Sequence, residues 1–509
     1  MALRPRSPGR RGRSDSASPG ERDAGALGDG DAPPTDDDRR GVSRLAASLV
    51  AAALALSTFL AATGVAAAHA GAVRSAAPGT LEIPTWLFLL TGGGAVGASF
   101  LLASFVTDRQ FIRSIHDWGG TLASPGRLVR LVARTLSVAL LLLTIYVGFV
   151  GPDTQLRNLA ILVVWVGWWG GYVASVYLVG NTWPTLNPFR ALAELLLSLD
   201  REYPERLGAW PAVVGLLALI FLEVVAPIGD EPRALATVIV AYAVATLAGS
   251  VVFGPDRWFE TVDPVSRTFE FYGHVAPLER GDDGLRFRLP GAGLSEAGLV
   301  VGRDQVAFVV AVLYVTTYDG FVGTNLWAWL VIELVSVGIP PLLGYLLVYF
   351  LGYLAFLRVY WWSARLARRY AETYYTVEYL AERFAPSLLA IAAGYHLAHN
   401  FGVLLSLSPT LVDVGVSTLG DLATLSPISP PQNPLTLASL PSWFGGLELF
   451  FVLLGHLVAV WVAHAAAYEL FPDRLQAIHS QYGVTVVMVL YTMISLWIVS
   501  EPPATPPYI

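Results

Sequence analysis

Apolar runs of about twenty residues recur along this chain from residue 84 onward, broken by short stretches rich in Arg, Pro and Gly. They fall at roughly 84–106, 131–150, 159–179, 209–227, 234–253, 304–318, 337–362, 386–407, 446–468 and 481–499. In hydrocarbon, a segment of this length must satisfy its own backbone, and an α-helix does so. The pattern predicts an all-α fold: a polytopic helical membrane bundle of about ten transmembrane helices, preceded by a signal or anchor helix. The sixth run is short. The seventh follows another apolar piece, 325–338, that stops at Pro340-Pro341, which predicts a kinked helix or a re-entrant segment.

The polar intervals carry their own signals. Residues 1–43 have almost no large apolar side chain and are expected to be disordered, because burial cannot offset their ordering entropy. Residues 44–70 read as a secretory signal: a basic start, an Ala/Leu-rich run, then Ala68-His69-Ala70. An uncleaved anchor helix is the alternative. Cleavage after Ala68 would leave His69 at the new amino terminus, where amine and imidazole can chelate a metal. Asn187 is placed to cap a short amphipathic helix to Leu199, with Pro188 at its first position. Residues 254–303 are long enough for a small cap, and Leu285-Arg286-Phe287-Arg288-Leu289 alternates as a hairpin strand would. Residues 364–384 extend the seventh span as a charged helix, and 408–443 form a loop with only Asp413 and Asp421 charged.

Arginine sets the expected orientation. One set of loops holds Arg109, Arg113, Arg127, Arg130, Arg190, Arg201 and Arg206, then Arg257, Arg267, Arg280, Arg286, Arg288 and Arg303, and lastly Arg365, Arg368, Arg369, Arg383 and Arg474. The opposite set holds Arg74, Arg157 and Arg233. The first set is expected in the cytoplasm, which puts the mature amino terminus and the tail 500–509 outside and the protein in the cytoplasmic membrane.

Composition sharpens the class. Only 14% of residues are charged against 54% apolar, well below the charged share of a soluble domain. The net charge of -7 argues against nucleic acid as a partner, so the lipid bilayer is the expected one. There is no Cys, which excludes disulfides and thiolate metal sites.

Four histidines stand inside apolar runs: His396 and His399, then His456 and His464. Ionisable groups at membrane depth are costly and usually face a bundle interior. His396 and His399 are three residues apart and share a helix face with Asn400. The next run is antiparallel and carries His456 at similar depth, with His464 about 12 Å nearer the cytoplasm. Three converging imidazoles are the donor set of a zinc or copper site with an open position. A metal-free proton relay, separate structural roles and a single haem are the other readings of the same residues. Glu223, Asp319, Glu333 and Glu448 are the acids near membrane depth, and Glu223 and Glu448 are the candidate general bases.

Several short pieces, taken in order, resemble a known family. They are Ala68-His69-Ala70, Ile83-Pro84-Thr85-Trp86-Leu87-Phe88, Thr182-Trp183-Pro184-Thr185-Leu186-Asn187-Pro188-Phe189-Arg190, Tyr318-Asp319-Gly320-Phe321, Gly394-Tyr395-His396-Leu397-Ala398-His399-Asn400, and Gly455-His456 with Ala463-His464. Together they are similar to the multi-spanning prokaryotic membrane proteins labelled fenitrothion hydrolase-like. The resemblance implies hydrolysis of an organophosphate ester. Ala465 stands where that pattern leads one to expect a charged residue. The leading expectation is metal transport or metal handling at His396, His399, His456 and His464. The alternatives are a membrane-embedded metal-dependent hydrolase of organic or phosphate esters, and a metal-free structural or assembly subunit.

Overall fold

A computed structural model describes residues 85–508, apart from 117, 124–125, 282–283, 432–435, 442 and 503. The expected tail, the signal or anchor segment and His69 lie outside the described residues. What is described is mostly helical. Eight helices are long and apolar enough to cross a membrane. The runs at 84–106 and 209–227 also form helices, α1 (Thr85–Ser104) and α4 (Trp210–Val225), which are not among those eight.

The remaining long helices are α2 (Arg127–Val150), α3 (Leu159–Leu178), α5 (Pro232–Phe253) and α7 (Arg303–Val322). After them come α9 (Pro341–Ala371), α10 (Pro386–Ala423), α11 (Phe444–Leu470) and α12 (Tyr482–Ser500). Shorter helices are α6 (Pro264–Gly273) and α8 (Asn325–Ser336). Helix α7 is buried on nearly every face and forms the centre. Helices α4, α9 and α10 pack on it. Helices α2 and α5 pack chiefly on one another and on the short helices near residue 190. Most of the surface of α2 is exposed Leu and Val, as a lipid-facing helix requires.

The tightest crossing joins α10 to α11 at Gly394 and Gly455. A Cβ on Gly394 would stand 2.7 Å from the Phe451 carbonyl oxygen and 2.9 Å from Gly455 Cα. With no hydrophobic force between helices in lipid, such backbone approach through small residues supplies the packing energy.

Residues 254–303 fold as a cap containing the expected hairpin, β2 (Leu278–Gly281) paired with β3 (Gly284–Arg288). A third strand, β1 (Gly119–Leu122), pairs antiparallel with β3 and makes the order β1-β3-β2. The loop after α1 and the cap therefore lie on the same side, as four intervening helices demand.

Two expectations are corrected, and of the two alternatives for 325–338 the continuous kinked helix is excluded. The helix capped by Asn187 ends at Ala193 rather than Leu199. The apolar piece before Pro340 is a separate helix, α8, packed back on α9 through a turn at Gly338, whose φ of +93° suits glycine. The loop expected from residue 408 instead continues α10 through Pro409 to Ala423. Proline removes a backbone donor and disturbs the carbonyls one turn back. Here the Ser406 carbonyl accepts from the Ala438 N–H at 2.9 Å, and Thr410 Oγ1 donates to the Thr436 carbonyl at 2.6 Å. The returning loop satisfies the helix where proline weakens it.

Candidate functional site

The glycine crossing fixes how α10 is rotated. Gly394 faces α11, and at 100° per residue His396 stands about 200° away around the helix. His396 thus faces α3, not α11. Its Nδ1 meets the Tyr177 hydroxyl at 3.0 Å, and its ring lies edge-on to Trp169 at 5.2 Å. His396 is 2% exposed, and its Nε2 has no hydrogen-bond partner. Trp169 sits in a π-helical stretch of α3, Leu162–Tyr172, where i→i+5 bonding widens the helix. Such stretches recur at functional sites, but no residue pattern in LVVWVGWWGGY announces it.

His399 faces α7. Its Nε2 lies 3.3 Å from Asp319 Oδ2, and its ring stacks on Tyr395. Gly320 follows Asp319 because any side chain there would collide with the Tyr395 hydroxyl. Within the Tyr318-Asp319-Gly320-Phe321 piece the bare position leaves room for the Tyr395 ring that stacks on His399. Asn400 Nδ2 donates to the His396 carbonyl at 3.0 Å, within its own helix.

Glu223 of α4, Asp319 of α7 and His396, His399 and Asn400 of α10 line one pocket, walled by Trp169, Ile220, Val315, Thr316 and Tyr395. The space holds about one water-sized particle. Two imidazoles and two carboxyls around one water-sized space are groups chemically able to exchange protons with its occupant.

The three-imidazole centre does not assemble. Among the described residues, His396, His399 and His456 do not bring their ligand atoms within 4.8 Å of one another. His456 follows Gly455 on α11 and is fully buried outside this pocket, with Nδ1 2.8 Å from the Val452 carbonyl oxygen of its own helix. His464 uses both nitrogens structurally: Nε2 lies 2.9 Å from the Val106 carbonyl oxygen and Nδ1 3.3 Å from Gln481 Oε1. It ties α11 to the chain after α1 and to the start of α12. The residues as placed therefore do not fit zinc or copper held by His396, His399, His456 and His464. Of the two candidate bases, Glu223 lines the pocket and Glu448 does not; Glu448 lies against Gly402 instead.

A second cavity of about 770 Å³ shares the wall of the first at Trp169, Ile220, Glu223, Val315 and Thr316. It lies between α2 and α5 on one side and α3, α4, α6 and α7 on the other. The Trp183–Phe189 piece bounds it. Trp183 Nε1 donates to Ser266 Oγ at 3.1 Å, Asn187 Nδ2 to the same oxygen at 3.3 Å, and Asn187 Oδ1 caps the next helix as expected. The resemblance motif is thus a rigid wall of this cavity.

The described residues that do gather three possible metal ligands are His274, Glu279 and Glu296 in the cap. Arg288 already fills the cluster, with Nη2 2.6 Å from Glu279 and Nη1 2.6 Å from Glu296. An added cation would meet that guanidinium, so the group is an ion-pair network. Burial raises the Glu279 carboxyl, but the His274 hydrogen bond and the His274, Arg288 and Arg286 charges outweigh it and hold the group below the ordinary carboxylate range.

Comparison of the chain with family models, with curated proteins and with solved structures gave no match.

Proposed function

We propose that this chain is a multi-pass protein of the cytoplasmic membrane that hydrolyses a lipophilic ester in the pocket of Glu223, Asp319, His396 and His399. The observation that carries the reading is the shared wall: Glu223 borders both the one-water pocket and the 770 Å³ apolar cavity. An ion path has no use for an apolar cavity of that size, whereas an enzyme must hold a substrate beside its water. In this reading water in the small pocket adds to the ester carbon or phosphorus while its proton passes to Glu223. The ester bond breaks, and the leaving oxygen takes a proton from His399. Asp319, 3.3 Å away, stabilises the charged imidazole. The enzyme residues, not a bound metal, perform each step. The reading keeps the Arg-rich loops and the cap in the cytoplasm and the mature amino terminus outside, with ten crossings. It also agrees with the ester hydrolysis that the fenitrothion hydrolase-like resemblance implies.

The test is release of p-nitrophenol from p-nitrophenyl esters of carboxylic and phosphoric acids by the purified full chain in lipid nanodiscs. Glu223→Gln and His399→Ala should each lower the rate by roughly 10²- to 10⁴-fold, the usual yield of general acid–base catalysis. No turnover above that of empty nanodiscs, or rates unchanged in both variants, would refute the reading.

A second reading has its own support. The His399–Asp319 pair and the unpartnered Nε2 of His396 border the same small space, and a cation would have to draw them together, because their ligand atoms do not all lie within 4.8 Å of one another. Stoichiometric zinc or copper in the purified protein, lost in His396→Ala, together with ion flux into vesicles, would replace hydrolysis by cation handling.

A further inference from the structure

Most of the hydroxyls around the larger cavity are already committed to neighbours. Ser137 Oγ donates to the Arg134 carbonyl, Thr144 Oγ1 to Leu140, Thr268 Oγ1 to Pro264 and Thr316 Oγ1 to Leu313. Each of these hydroxyls bonds within its own helix. The Tyr242 hydroxyl donates to Asp263, Tyr172 pairs with Thr182 at 3.0 Å, and Trp165 Nε1 donates to the Ile228 carbonyl at 3.3 Å. Leu, Ile, Val and aromatic side chains cover the rest. The acidic side chain in the lining is Glu223, at the wall shared with the histidine pocket.

That distribution specifies an occupant. A molecule polar along its whole length would lose its hydration against the apolar walls and recover little of it. A molecule that is apolar over most of its length and polar at one end matches the lining throughout. The volume lies within the roughly 300–1,000 Å³ range of cavities that enclose a whole small ligand. The walls include the membrane-length helices α2, α3, α5 and α7, so the apolar phase that could deliver such a molecule is the bilayer itself. The small pocket admits no more than one water, so the ester group stops at the shared wall by Glu223 and the tail stays in the cavity.

We infer that the cavity between α2/α5 and the α3–α4–α7 core is a binding site for a long-chain ester drawn from the membrane, its apolar tail in the cavity and its ester group at Glu223. This deepens the hydrolytic reading of the same site.

Binding is tested without turnover. The probe is a palmitoyl ester of p-nitrophenol carrying a diazirine on its acyl chain, photolysed with the full chain in nanodiscs and mapped by peptide mass spectrometry. Adducts are expected at Leu219, Val238 and Ile239, and excess unlabelled palmitoyl ester should reduce them at least tenfold. Leu219→Trp, which fills the space, should reduce them similarly, and Ile239→Phe supplies a smaller change if the Trp variant does not fold. Labelling confined to lipid-facing residues such as Leu128, Leu351 and Val486, not competed and unchanged in the filled variants, means annular lipid only and overturns the proposal. Competed labelling in the cavity with no ester turnover would sink the hydrolytic reading while leaving the binding site standing.

Discussion

Gly394→Ala is the most direct probe of what orients the site. The added methyl would lie 2.7 Å from the Phe451 carbonyl oxygen, 2.9 Å from Gly455 Cα and 3.2 Å from Gly455 N. Non-bonded heavy atoms rest at about 3.5–4.0 Å, so α10 and α11 must separate by roughly 0.5–1 Å, and a gap of that size forfeits a quarter to a half of each contact it opens. The neighbours are backbone atoms and cannot rotate aside. Overpacking of this kind costs about 1–3 kcal/mol. Alanine returns up to about 1 kcal/mol of helix propensity. The net expectation is a loss of about 0.5–2 kcal/mol. Gly97→Ala in α1 is the control, because a Cβ there meets nothing within 4 Å and only the propensity gain remains. Thermal unfolding of the full chain in detergent should rank the variants Gly394→Ala, wild type, Gly97→Ala in order of rising midpoint. Gly455→Ala, whose Cβ would stand 2.6 Å from the Ala390 carbonyl oxygen, should behave like Gly394→Ala, and the double variant should lose less than the sum because both clashes relax by one separation. A Gly394→Ala midpoint equal to or above that of Gly97→Ala would refute the crossing as the device that sets the rotation of α10.

Three further expectations follow from the structure. His464→Ala removes the groups facing the Val106 carbonyl and Gln481 and should lower unfolding stability by about 1–3 kcal/mol, yet leave turnover per folded molecule unchanged; a specific loss of turnover would return His464 to the functional site. Asp263 accepts from Ser266 N at 2.6 Å as a helix cap, and burial raises its carboxyl above the ordinary range, so Asp263→Ala should cost about 0.5–2 kcal/mol while Asp263→Asn, which keeps the acceptor without the charge, should melt close to wild type at pH 7. Glu279 is held below the ordinary value of 4.5, so its contribution is complete above that value and is lost as pH falls through the lower folded value; unfolding scans from pH 7 to pH 3 should show a midpoint decline in wild type that is shallower in Glu279→Gln, and parallel declines would contradict the assignment.

The sequence by itself determined the class and much of the layout. A run of apolar residues long enough to cross hydrocarbon admits only a helix there, so repeated runs specify an all-α membrane bundle whatever the packing. Local patterns carried equally well where the physics is local: Asn187 before Pro188 caps a helix, and the alternation at 285–289 is a hairpin strand. Sequence also singled out Glu223, His396 and His399, because ionisable groups at membrane depth are too costly to stand there idle. Tertiary structure alone decided which of them meet. Depth along a helix follows from residue count, but rotation about its axis depends on which face the neighbour takes. The pairing of Gly394 with Gly455 made that choice, turning His396 toward Tyr177 and Trp169 and leaving His456 and His464 to other partners. The third strand, the helix through Pro409 and the apolar cavity have the same origin. Each is made by segments far apart in the chain, and no window of residues contains the contact that creates it.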